Sequence, residues 1–161
     1  MSETDRVRVT TVVAVDPVTA FEIFTEEVDG WWKRGPRYRF VKSGVLRFEP
    51  GEGGRLVEVI DAAAGKVYEV GEILVWEPAA RLVFGWRGHH FEADQRTEVE
   101  VCFEASGDGT RVTVEHRGWD ALPAHHRARH GLQGGAFSAM MGLWWGDVLV
   151  SLRAFAREDR G

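Results

Sequence analysis

At 161 residues, 44% apolar and 28% charged, the chain has the size and composition of one globular domain, with a core that needs neither disulfide nor metal support. A lone cysteine, Cys102, excludes an internal disulfide framework and a multi-cysteine zinc site, and fits a reducing compartment, the cytoplasm. A net charge of −5 argues against a nucleic-acid partner, whose footprint is a basic field. Residues 1–5 are polar and acidic, so no signal peptide is expected. The longest charge-free apolar stretch, 131–146, is short, glycine-rich and stopped by Asp147, so no membrane span is expected either. The expectation is a single domain over 1–161 with an ordered core of about 6–157. Seven tryptophans and nineteen glycines stand out and have to be placed.

Residues 6–15 alternate, with Val7, Val9, Thr11, Val13 and Val15 on one face and Arg8 and Thr10 on the other, which predicts a half-buried strand. Asp16-Pro17 ends it and opens a helix to about Glu26, with Asp16 as N-cap and Pro17 in the first helical position. A second short turn carries Val28 to Trp32, and residues 33–44, basic side chains mixed with Tyr38 and Phe40, read as loop. Six further strands follow, at 45–49, 55–61, 67–77, 81–87, 97–104 and 111–119. Most of the connectors between them are short and carry Gly, Pro or Asp, as antiparallel hairpins require. In the last two strands Val99, Val101, Phe103, Val112, Val114 and His116 form a dry face, and an acidic row faces a basic one on the wet side, where Cys102 also falls. Asp120 to Pro123 reads as a cap and helix start, followed by a short basic helix over 125–130. Residues 136–157 predict a long helix whose apolar stripe is Phe137, Met141, Trp144, Val148, Leu152 and Phe155.

The phrases Val15-Asp-Pro-Val-Thr-Ala-Phe21, Phe24-Thr-Glu-Glu-Val-Asp-Gly-Trp-Trp32, Gly71-Glu-Ile-Leu-Val-Trp-Glu-Pro78, Arg81-Leu-Val-Phe-Gly-Trp86, Gly109-Thr-Arg-Val-Thr-Val-Glu-His-Arg-Gly-Trp119 and Gly142-Leu-Trp-Trp145 run in this order along nearly the whole chain. Together they resemble the Hsp90-ATPase-activator-homologue type of domain within the START/Bet v 1-like superfamily. The resemblance implies an α+β helix-grip fold, in which a seven-stranded curved antiparallel sheet, two short helices and a long C-terminal helix enclose a cavity for a small, largely apolar molecule. It carries over no catalytic triad, metal site or cofactor. The eukaryotic co-chaperone of the family joins such a domain to a separate chaperone-contacting domain, for which this chain is too short, so ATPase stimulation is not expected.

The candidate cavity walls are Trp86, Phe103, Val114, His116, Met141, Trp144 and Val148, with Trp31 and Trp32 as a lid or as core filler near the entrance. Adjacent on a helix, Trp144 and Trp145 point about 100° apart, which places Trp144 in the core and Trp145 at the sheet edge unless one of them lines the cavity mouth. Gly142 and Gly146 on the same helix either let backbone approach the sheet or leave volume for a ligand. His116 is a satisfied core histidine or a polar contact for a ligand, and Glu58 and Glu72 are the carboxylates that would pair with it if they face inward. The segment His89-His90-Phe91-Glu92-Ala93-Asp94 and the His126/His130 pair lack the complete ligand set of a recognised metal site.

Three functions follow from these residues. The first is binding of a small hydrophobic or aromatic molecule, lipid or polyketide-like. The second is a chaperone-associated or stress-response module, with a chaperone or a second copy as partner and an apolar patch around Trp145 or the Tyr38–Phe40 loop. The third is a cyclase-like or hydrolase-like enzyme using His116 and a buried glutamate.

Overall fold

The computed structural model describes residues 6–41, 43–87, 91–123, 126–129, 131–132 and 134–160. In chain order the elements are β1 (Arg6–Val13), α1 (Pro17–Glu26), α2 (Val28–Trp31), β2 (Val45–Phe48), β3 (Arg55–Asp61), β4 (Lys66–Glu77), β5 (Arg81–Trp86), β6 (Thr97–Ser106), β7 (Gly109–Arg117) and α3 (Gly134–Arg160). The seven strands form one antiparallel sheet in the order β1-β7-β6-β5-β4-β3-β2. Strands β2 to β7 are therefore a meander, and β1 closes the far side by pairing with β7 from Arg6↔Arg117 to Val13↔Thr110. This is the curled sheet with a long C-terminal helix expected of a helix-grip fold.

Asp16 caps α1 through Oδ1, which accepts from the Thr19 amide at 2.8 Å, and Pro17 opens the helix. The β6–β7 register sets Glu98 opposite Arg117 and Glu104 opposite Arg111. Arg117 donates to Glu98 at 3.0 Å and to Glu100 at 2.6 Å, and Arg8 to Glu115 at 2.7 Å, so the charged rows of the wet face pair across strands. Strand β4 shifts register twice against β3, between Leu56 and Val57 and between Val59 and Asp61, and once against β5 between Ile73 and Val75. Gly71 sits where the sheet is tightest, because a Cβ there would lie 1.7 Å from the Gly85 carbonyl oxygen.

The segment after β7 departs from expectation. In place of a capped start and a basic α-helix there are two 3-10 turns, Trp119–Ala121 and Arg127–Arg129. Gly118 and Gly131 take positive φ at either end, and Pro123 interrupts the run between them. The helix α3, about 40 Å long, packs over β1 and shares one core with α1 and α2. Its stretch Gly135–Glu158 is, by length and mean hydropathy alone, long and apolar enough to cross a membrane, a test that a core helix also passes. In this fold Phe137, Trp145, Val148, Leu149, Leu152 and Ala156 are buried against the domain.

Candidate functional site

His116 lies in β7 with no exposed surface, and both ring nitrogens are engaged. The Trp145 indole donates to Nδ1 at 3.1 Å. An indole N–H can only donate, so Nδ1 carries the lone pair and the ring proton sits on Nε2. Nε2 then donates to Thr97 Oγ1 at 2.7 Å, and that hydroxyl donates to the Trp86 carbonyl at 3.2 Å. The hydrogen bonds thus run one way, from α3 through β7 and β6 to β5. Burial pushes the imidazole pKa down to about 3, so the ring is neutral at physiological pH.

Around this column the tryptophans gather. Trp86 stacks on Trp32 (centroids 5.9 Å, planes 28° apart), meets Trp144 edge-on at 6.0 Å and touches Phe40 at 5.4 Å. Trp144 and Trp145 are edge-to-face at 5.1 Å, Trp31 and Trp32 lie 5.3 Å apart, and Trp119 approaches His116 at 4.5 Å. The outer side of this group is open. A pocket of about 640 Å³, within the usual range for small-molecule sites, lies between the 36–40 loop, Trp86, Phe91, His116, Trp119, the Arg127–Ala128 turn and Met140, Met141 and Trp144 of α3.

The loop that forms one wall is fixed from beneath. The Arg39 side chain, almost wholly buried, pairs with the Asp29 carboxylate and donates to the carbonyls of Trp32 (2.7 Å), Asp29 (3.0 Å) and Lys33 (3.2 Å). Burial would raise the Asp29 pKa, but hydrogen bonds from Arg39 and the Leu46 amide outweigh it and hold the carboxyl below its usual range. Glu58 accepts from the Phe40 amide at 2.7 Å, Trp32 Nε1 donates to the Tyr38 carbonyl at 2.9 Å, and Trp144 Nε1 to the Arg37 carbonyl at 2.7 Å. The Tyr38 ring stacks on Trp144 with planes 28° apart. The wall is preformed.

Comparison with known proteins places the chain. The family profile described as "Activator of Hsp90 ATPase homolog 1-like protein" matches residues 14–152. The chain belongs to that family. A comparison with curated proteins finds no significant match. Among solved structures, the activator-like fold recurs in protein MLL2253 from Mesorhizobium loti (TM-score 0.64, 19% identity, 97% of this chain and 98% of that one). It recurs in the Aha1 dimer from Colwellia psychrerythraea (0.65, 14%, 97% and 98%). DynU16, a putative protein in the dynemicin biosynthetic locus, is similar over 95% of this chain and 47% of its own length (0.63, 20%). At these identities the likeness is one of fold.

Within this activator-like fold, Trp86, His116, Met141 and Trp144 line the pocket. Trp32 stands behind the wall, and Trp31 is core, its indole donating to the Ile23 carbonyl at 3.1 Å. Phe103, Val114 and Val148 are also core and do not reach the pocket, because aromatic rings fill the space between sheet and helix and displace the opening toward one end. Glu72 is exposed on the other face of β4, opposite Arg55. Glu58 is buried but braces the 36–40 loop, so the His116–glutamate pair does not form.

Trp144 and Trp145 exchange their expected places. Trp145 is fully buried on His116, and Trp144 is the half-exposed pocket wall. Trp145 itself therefore adds nothing to the apolar patch expected around it, and the large exposed apolar side chains of α3 among the described residues are Leu143 and Val150. A Cβ at Gly142 would meet Val7 at 4.0 Å, and one at Gly146 would meet nothing, so neither position is a forced close approach. His126 contacts Gln95 at 3.1 Å; His89, His90 and His130 lie outside the described residues, among which no cluster of three metal-ligating side chains occurs.

Pro36, Arg37, Phe91, Trp119, Arg127, Ala128 and Met140 were not among the candidate cavity walls, and the Tyr38–Phe40 loop was a candidate only as a partner-binding patch. One signal was there. Arg37-Tyr38-Arg39-Phe40 sets aromatic rings in a loop with no period to bury them.

Proposed function

We propose that this protein binds a small aromatic or otherwise largely apolar molecule in the pocket beside His116. The observation that carries this is the preformed aromatic wall. Trp144, Tyr38 and Phe40 border a cavity of about 640 Å³ and are held from behind by hydrogen bonds to loop backbone. Rigid walls spare a ligand the cost of ordering them. The aromatic wall makes polycyclic aromatic compounds the first class to test. Isothermal titration against such compounds and against lipids should give one saturable site. Trp144→Ala should weaken it at least tenfold with the circular dichroism spectrum intact, while exposed Val18→Ala should leave it unchanged. A panel with no binder, or binding indifferent to Trp144→Ala, overturns the proposal.

A second function, contact with a chaperone or a second copy of the chain, has Leu143 and Val150 in its favour, at 74% and 66% exposure on one helix. Its signature is a complex or dimer in solution that Leu143→Glu with Val150→Glu abolishes.

A further inference from the structure

The charge around the pocket is one-sided. Its basic lining side chains are Arg37, Arg39, Arg127 and His116, and among the described residues no carboxylate lines it, although the chain carries a net −5. Arg39 is neutralised by Asp29, and His116 is a neutral donor–acceptor within its own column. Arg37 and Arg127 are different. Both are exposed, and among the described residues neither forms an ion pair. Arg37 lies over the Tyr38 ring at 5.6 Å, which leaves its N–H donors uncommitted. Nearby Asp147 accepts from the Tyr38 hydroxyl at 3.4 Å and does not line the cavity. Two uncompensated guanidinium groups thus share a pocket with the flat faces of Trp144, Tyr38 and Trp86.

We propose that the ligand is a planar aromatic carboxylate, its rings against Trp144 and Trp86 and its carboxylate at the mouth between Arg37 and Arg127. A guanidinium offers a carboxylate two parallel N–H donors. A fatty acid would satisfy the arginines but not the aromatic walls, and a neutral polycycle the walls but not the arginines. The inference rests on the binding function above and narrows it.

The test compares anthracene-2-carboxylate, its uncharged carboxamide and decanoate by isothermal titration with the intact chain. At low salt the aromatic carboxylate should bind about tenfold more tightly than the carboxamide, a margin in keeping with one or two partly exposed ion pairs. That preference should shrink in 1 M salt. Arg37→Gln with Arg127→Gln should erase it, so that within that variant the acid binds no more tightly than the carboxamide. Equal affinity for acid and amide, or a preference that survives both substitutions, overturns the anionic assignment while the aromatic pocket stands. Decanoate binding as tightly as the aromatic acid overturns the aromatic assignment. If none of the three binds, the aromatic-carboxylate assignment fails, and the binding function is then decided by the wider panel of compounds and lipids.

Discussion

At the scale of single residues, His116 couples the pocket wall to acid stability. In the unfolded chain its ring takes up a proton near pH 6.5, and in the folded chain only near pH 3. Between those values the unfolded state binds the extra proton, so stability falls as pH falls through that window. From pH 7 to pH 5 the loss from this residue should be about 2 kcal/mol. Urea denaturation at the two pH values checks it. His116→Gln, whose amide can accept from Trp145 and donate to Thr97, should lose that slope, and parallel loss in both proteins would remove the assignment. Asp29, with its pKa lowered, adds a separate loss only as pH falls below about 3.8. The alternation of β7 made the inward direction of His116 legible. Its partner Trp145, 29 residues further on, was not, because local pattern says nothing about which distant donor arrives.

At the scale of elements, the 33–44 loop depends on one ion pair. Asp29 touches Arg39, Arg34 and the Leu46 amide together, so α2, the loop and the start of β2 meet at its carboxylate. Asp29→Ala leaves the Arg39 guanidinium buried and uncompensated, which should cost about 3 kcal/mol. Hydrogen exchange should rise first in the loop, ahead of β6 and β7, and uniform exchange across the chain would contradict a local strut. Strand and helix limits were legible to within three residues wherever apolar side chains kept a period. The loop had none, and it supplies much of the pocket. The exchange between Trp144 and Trp145 has a similar cause. Helical spacing gives the angle between neighbours, whereas the meridian that meets the sheet depends on packing, which here favours Trp145, Val148, Leu149, Leu152 and Ala156.

At the scale of the whole molecule, strand order and helix placement could be inferred from turn chemistry and phrase order, since both reflect backbone constraints. The position of the opening could not, because it depends on how completely the aromatic side chains fill the grip. They fill much of it, and among the described residues an opening remains at the end beside β5, β7 and the N-terminal half of α3. This crowding has an optical consequence. Trp31, Trp32, Trp86, Trp144 and Trp145 form an unbroken chain with successive ring centroids no more than about 6 Å apart. At such separations excitation energy hops between indoles faster than they emit. A quencher lodged against Trp86 or Trp144 should therefore dim the protein by more than two of its seven tryptophans could account for. A fluorescence titration at saturation reads this directly, and a loss limited to that share would mean the indoles emit independently. On that outcome the cluster is an antenna whose output is gated at the pocket.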